Sequence, residues 1–212
     1  MTTALEPARR ALESGLRDLD LDLEADATTR LLDYIGLLTR WNRRFNLTGT
    51  RAPAEIVTRH LLDSLSVTPF LRGGRVLDAG TGAGLPGLLL AIARPDIRFT
   101  LLDSAGKKTR FCIQATAELG LGNVVVIKTR IEDFEPEQRF SCMVSRAFER
   151  APELLSQAAR LLEPGALVLV MKGVYPQAEL NALQAAGFDA RARPVTVPGL
   201  GAERHVLLVE VT

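Results

Sequence analysis

The sequence predicts an α/β fold: a three-layer sandwich on a seven-stranded, mostly parallel sheet with an antiparallel last strand, preceded by N-terminal helices. Three features predict it. From Arg75 onward, short runs rich in Val, Ile and Leu alternate with longer stretches of helical periodicity, the pattern of parallel strands covered on both faces. Between the first strand and its helix, glycines crowd Gly80-Thr-Gly82-Ala-Gly84-Leu-Pro-Gly87. Near the C-terminus, two apolar runs are joined only by a loop containing Pro198-Gly-Leu-Gly201, which reads as a hairpin.

In chain order, residues 4–18 alternate Ala and Leu with Arg and Glu at helical spacing. Asp26 or Thr28 is placed to cap a second helix to about Trp41, with Leu31, Leu32, Ile35, Leu38 and Trp41 on one face. Pro53 opens a third, carrying Arg59-His60-Leu-Leu-Asp63-Ser64-Leu65. Strands are expected at 75–79, 98–103, 123–128, 140–145, 166–171, about 188–196 and 204–211, and helices at 86–93, 105–119, 151–162 and 176–186. Gly120 and Asn123 punctuate one strand entry and Pro164-Gly165 another. The expected organisation is a helical extension over residues 1–70 packed on a core of residues 71–212.

A chain of 212 residues, 47% hydrophobic, suits one good-sized domain. With no charged-then-apolar leader and no long apolar run, the expectation is neither signal peptide nor membrane span, hence a cytoplasmic protein. Cys112 and Cys142 lie in apolar surroundings without metal-ligand spacing, so buried free thiols are expected and no metal site. A net charge of +1 argues against a general nucleic-acid binder. Its distribution is uneven: residues 1–33 hold eight acids and four bases (net −4), and residues 40–60 five arginines and one glutamate (net +4). Either a binding face beside an acidic one or a solvated surface fits.

The glycine stretch satisfies two motifs. Gly82-Ala-Gly84-Leu-Pro-Gly87 matches G-x-G-x-x-G, with Asp103 about 20 residues on, as in dinucleotide-binding units. Preceded by Asp78, it also matches the S-adenosylmethionine (SAM) loop, hydrophobic-x-Asp-x-Gly-x-Gly-x-Gly. An acid two places before the first glycine is a poor neighbour for a pyrophosphate and a good one for a sulfonium and an ammonium. Asp78, Gly80, Gly82 and Gly84 are therefore assigned to SAM. An NAD-linked dehydrogenase would also need a second nucleotide-binding half, for which the chain lacks room.

Ligands in open α/β sheets lie beyond the carboxyl ends of the strands. Asp103, after the second strand, is placed for the ribose hydroxyls or as a helix cap. After the third come Arg130, Ile131 and Glu132; Ile131 can flank an adenine and Glu132 accept from its amine, or the acids are merely superficial. After the fourth come Ser145, Arg146 and Phe148, facing the transferred methyl, and after the fifth Lys172-Gly173. Arg146, Lys172 and Phe148 are the candidates nearest the chemistry, and no catalytic residue is assigned.

Asn46-Leu-Thr48, Arg59-His60-Leu-Leu-Asp63-Ser64-Leu65, Asp78 to Gly87, Leu102-Asp-Ser104, Lys107-Lys108, Arg130-Ile-Glu132 and Ser145-Arg-Ala-Phe148 occur in this order. Together they resemble the bacterial small-subunit rRNA guanine-N7 methyltransferase family, also called glucose-inhibited division protein B, over about residues 30–210. The resemblance implies a class I, Rossmann-like methyltransferase core and methyl transfer from SAM to N7 of a guanine in 16S rRNA. It implies SAM contacts from Gly80, Leu85, Ile131, Glu132 and Arg146. The partner would be 16S rRNA in the small subunit or its assembly intermediate, and the protein a monomer.

Guanine N7 has an in-plane lone pair and no proton, so no general base is needed, and positioning and electrostatics should carry catalysis. Arg146 is then better placed on O6, a phosphate or the SAM carboxylate than beside a ring gaining positive charge. Candidate RNA contacts are Arg43, Arg44, Asn46, Arg59, His60, Lys107, Lys108 and Arg110, with Arg40. His60 and Asp63, three apart on a helix, either face the substrate or form a packing pair. Asn46 either binds RNA or caps a turn, and Phe148 either stacks on the base or fills the core. Two other functions compete: an NAD-linked oxidoreductase, and a non-catalytic SAM-fold module binding RNA or protein.

Overall fold

The computed structural model describes residues 6–146 and 151–211. Seven strands form one sheet in the order β3-β2-β1-β4-β5-β7-β6. They are β1 Arg75–Ala79, β2 Arg98–Asp103, β3 Val124–Lys128, β4 Phe140–Ser145, β5 Leu162–Lys172, β6 Asp189–Pro194 and β7 His205–Glu210. Strands β1 to β5 pair in parallel, whereas β7 runs antiparallel to both β5 and β6. The order reverses at β1, whose neighbours are β2 and β4, so a crevice opens at the carboxyl ends there.

Helices α1 (Glu6–Asp18) and α2 (Ala27–Phe45) precede α3 (Pro53–Ile56), a π-helical segment Val57–Leu62 and α4 (Asp63–Leu65). The core adds α5 (Gly87–Ala93), α6 (Gly106–Glu118), α7 (Ala151–Ala158) and α8 (Gln177–Ala185). Burial divides by face. Leu31, Ile35, Leu61, Leu89 and Phe111 share one apolar cluster with Val76, Phe99 and Val144. Leu154, Leu155 and Leu183 share another with Leu77, Met143 and Val168 on the opposite face. Thus α1, α2, the π segment, α5 and α6 cover one side and α7 and α8 the other, giving the three layers.

Several details differ from the sequence reading: helix α2 runs on to Phe45 rather than to about Trp41, and the helix opened by Pro53 is interrupted by the π segment. Strand β5 begins at Leu162, not 166, because Leu162 pairs with Phe140 before a register shift that turns the chain through Gly165. The expected helix 151–162 ends at Ala158 and closes in a 3-10 turn, Ala159–Leu161. Helix α5 starts at Gly87, with Pro86 as its N-cap following a cis Leu85–Pro86 bond. Asn123 does more than punctuate: its amide donates to the carbonyls of Ala91, Arg94 and Ile97, tying the end of α5 to the start of β3.

Candidate active site

At the carboxyl end of β1 the chain turns through Gly80, Gly82 and Gly84, all with positive φ, a conformation side chains resist. The loop is stitched from within. Gly80 and Thr81 donate to Leu102 O, Gly82 to Asp103 Oδ2, Leu85 to Thr81 O, Gly87 to Asp78 Oδ2 and Leu88 to Gly84 O. A pyrophosphate cradle needs such N–H groups aimed outward; here they are spent on the loop's own shape. Tyr34 of α2, fully buried, donates its hydroxyl to Ala83 O at 2.8 Å and clamps the loop from behind.

Asp78 is 0% exposed. Its Oδ2 accepts from Thr81 Oγ1 at 2.6 Å and from Gly87 N at 2.8 Å, so one carboxylate oxygen caps α5. Burial pushes its pKa up to about 6, against the two hydrogen bonds that favour the charged form. The other oxygen, Oδ1, is buried without a hydrogen-bond partner. An orphaned carboxylate oxygen is costly unless something cationic or donating meets it. Gly87 is glycine for this reason: a Cβ there would stand 2.5 Å from Asp78 Oδ2. Gly84 serves packing, since its Cβ would strike Leu88.

Beside the loop lies a cleft of about 410 Å³ lined by Gly80, Leu102, Asp103, Ser104, Lys108, Thr129, Arg130, Ile131, Glu132 and Gln157. Gly80, Asp103, Ile131 and Glu132, expected on the cofactor, therefore converge on one cleft. Asp103 is not the cap of α6, whose N-cap is Ala105; it braces its surroundings, accepting from Gly82 N at 2.9 Å and Ala105 N at 2.8 Å, with Lys108 Nζ 3.6 Å away. Lys108, expected on RNA, also lines this cleft. Gly82, Gly84, Leu85 and Asp78 shape the loop from behind rather than lining the cleft. Arg160, unnoticed in the sequence, donates to the carbonyls of Ile131, Glu132 and Phe134 and fixes the segment carrying Ile131 and Glu132.

The rest of the strand-end rim is charged. Arg146, after β4, places its guanidinium 3.3 Å from Ser64 Oγ and 3.5 Å from Asp63 Oδ2. Lys172, at the end of β5, pairs with Glu179 at 2.7 Å. Phe148 lies outside the described residues. His60 and Asp63 do not pair, because π-helical winding displaces the i,i+3 spacing; Asp63 binds Arg204 Nε at 2.9 Å and Arg146 instead. His60 is 8% exposed, with Nδ1 2.9 Å from Arg59 O and Nε2 buried without a partner. Burial, then Arg146, lowers its pKa to about 4, so it is neutral at pH 7 and too buried for the RNA surface role expected of it.

Of the other RNA candidates, Arg43, Arg44, Arg59, Lys107 and Arg110 are exposed. Asn46 is the left-handed C-cap of α2, the turn role expected as its alternative, with its side chain accepting from Arg51. Lys107 Nζ donates to Phe45 O at 3.3 Å, joining the start of α6 to the end of α2. The buried amide organising that corner is Asn42, which bonds Thr48 and Thr50. Both cysteines are free and buried, Cys142 with its thiol pKa pushed by burial to about 11.

Sheet order, switch point and glycine loop define the class I SAM-dependent methyltransferase fold. Solved structures agree: the O-methyltransferase TomG of Streptomyces achromogenes, in complex with SAM, superposes with a TM-score of 0.60 at 20% identity over 100% of both chains. A SAM-dependent methyltransferase from Aquifex aeolicus gives 0.58 at 20% identity, covering 74% of this chain and 93% of that one. The model of the GidB family, rRNA small subunit methyltransferase G, matches residues 27–207. Ribosomal RNA small subunit methyltransferase G of Methylococcus capsulatus is 48% identical over 95% of this chain and 98% of its own, and that of Methylobacillus flagellatus 46% over 95% and 97%. The chain belongs to the rRNA small subunit methyltransferase G family. It is a SAM-dependent rRNA methyltransferase, and the oxidoreductase alternative gains no support.

Proposed function

We propose that this protein methylates N7 of a guanine in 16S rRNA, on the small ribosomal subunit or its assembly intermediate, acting as a cytoplasmic monomer. The observation that carries the reading is the side-by-side placement of a cofactor cleft over β1–β3 and a guanidinium-bearing rim over β4, β5 and β7. When bound, SAM supplies an electrophilic methyl on a sulfonium. Asp103, Ile131 and Glu132 would hold its nucleoside end, and Gly80 the loop side. Asp78, enclosed behind the loop, would act on the cationic methionine end of SAM through charge across a poorly screened interior rather than by contact. The chain's remaining task is to hold the acceptor in line with that methyl and exclude water. N7 carries no proton, so the neutral, deeply placed His60 is not required as a base. No helix among the described residues is long and apolar enough to cross a membrane.

The test is methyl transfer from labelled SAM to three substrates prepared from a strain lacking the enzyme: naked 16S rRNA, an assembly intermediate and the 30S subunit. The expected product is one guanine sensitive to borohydride and aniline cleavage, the signature of N7 methylation. Label on another atom, or none on any substrate, would refute the proposal. Light scattering of the free protein checks the monomer.

A further inference from the structure

Next to the cofactor cleft, a cavity of about 170 Å³ is lined by Asp63, Arg146, Met171, Lys172, Gly173 and Arg204. Its charged groups come from four parts of the chain. Arg204 arrives because β7 is antiparallel: Lys172 pairs with His205, so the residue ahead of β7 stands at the same carboxyl edge as the end of β5. Asp63, 5% exposed at its side chain, divides its oxygens between two arginines, Oδ1 to Arg204 Nε at 2.9 Å and Oδ2 to Arg146 at 3.5 Å. Ser64 Oγ fixes Arg146 further, and Arg204 also donates to Glu203 O at 2.8 Å. Each guanidinium is thereby oriented, and each of these arginine side chains lines the cavity while staying about a quarter exposed.

We infer that Asp63 is a positioning residue that sets Arg146 and Arg204 as a paired donor for the exocyclic oxygen O6 of the acceptor purine. This rests on the guanine-N7 reading above. In the transfer, the N7 lone pair forms the new N–CH3 bond, the S–CH3 bond breaks with its electrons on sulfur, and the sulfonium's positive charge passes to the purine. No proton moves. That charge withdraws density from the six-membered ring, and donors at O6 stabilise the resonance form with negative charge on oxygen. Two unneutralised cations on this edge would oppose charge developing at N7; the Asp63 carboxylate offsets one. Adenine presents an amine at this position, so donors would meet donors and adenine would be rejected.

The test uses the full-length protein and small-subunit RNA carrying either guanine or 2-aminopurine at the acceptor position; the analogue keeps N7 and lacks O6. For the wild type, kcat/KM is expected to be on the order of 10- to 100-fold higher with guanine. In Asp63→Asn and in Arg204→Lys, which keeps the charge but loses the planar fork, that preference should shrink to within about threefold, with SAM affinity also within about threefold of wild type. Variants that lose activity equally on both bases, or whose loss is explained by SAM affinity, would overturn the assignment. Thermal melting accompanies both, and Arg204→Lys carries the test if Asp63→Asn does not fold. A wild type that never marks guanine N7 sinks the proposed function; one that marks it without base preference sinks only the role of Asp63.

Discussion

The two halves of the strand-end crevice are built from different materials. Over β1–β3, shape comes from backbone: the glycine loop, Asp103 and the segment held by Arg160 are fixed mostly by bonds to main-chain N–H and C=O groups. Over β4, β5 and β7, shape comes from charged side chains bonded to one another, with Asp63 between Arg146 and Arg204 and Lys172 on Glu179. Backbone networks suit a ligand that is always the same. The ion pairs here are largely buried and little screened, yet they leave cationic side chains part-exposed, which suits a polyanion that must dock and leave. The contrast predicts that substitutions on the first side damage folding and cofactor affinity, and those on the second damage acceptor choice.

Gly87→Ala strikes the first half hardest. The added Cβ would meet Asp78 Oδ2 at 2.5 Å and Asp78 Cβ at 3.0 Å, so the carboxylate loses its cap while remaining buried. A loss of about 3 kcal/mol in unfolding free energy is expected in a urea titration. A change under about 0.5 kcal/mol would mean that the loop yields and the backbone-built side is softer than described.

Protons should distinguish the halves next. The Asp78 pKa is raised to about 6 by burial, so the carboxyl is mostly ionised at pH 7 and mostly protonated at pH 5. Its stability contribution has the matching sign: the cost of burying the charge is relieved as pH falls through 6. Binding of the cationic end of SAM selects the ionised form, so affinity should drop roughly tenfold from pH 7 to pH 5, and Asp78→Asn should flatten the profile. Calorimetry at the two pH values decides it; equal affinities would remove Asp78 from the cofactor site. His60 acts on folding instead. Its pKa is lowered to about 4, so the stability it contributes is present above its unfolded pKa near 6.5 and is lost as pH falls toward 4.

The difference between the halves also governs what could be read from the sequence. The glycine loop was legible because its parts are contiguous and each glycine answers a local demand. Asp103, Ile131, Glu132, Arg146 and Lys172 were legible by one topological rule, since parallel strands deliver the residue after their ends to the crevice. Arg204 escaped that rule because an antiparallel strand delivers the residue before its start. Arg160, Tyr34 and Asn42 escaped because they act on backbone carbonyls, and a carbonyl has no letter. The pairing of His60 with Asp63, one of two roles their spacing allows, assumes about 3.6 residues per turn, and a π segment breaks that spacing.

A smaller test, of the clamp behind the glycine loop, is Tyr34→Phe. It removes the hydroxyl bond to Ala83 O and leaves that carbonyl without its clamp, at about 1 kcal/mol. Since α2 also carries Arg43 and Arg44, the expected split is a several-fold rise in the SAM dissociation constant with RNA affinity unchanged. A rise in both would show that α2 couples the two sides.

The smallest effects belong to the exposed bases. Arg43, Arg44 and Lys107 surround the end of α2, and Lys107 is bonded to Phe45 O. If they meet phosphates, each gives affinity without sequence choice. Single alanine substitutions should then leave kcat at low salt and the guanine preference untouched. Each should reduce the slope of log affinity against log salt by about one. The Asp63 and Arg204 variants should do the opposite, altering base preference with little change in slope. Binding measured across a salt series, alongside methylation of guanine and 2-aminopurine RNA, separates the two kinds of positive charge. An Arg43→Ala variant that changed base preference would move the acceptor site from the β4–β5–β7 rim to the end of α2.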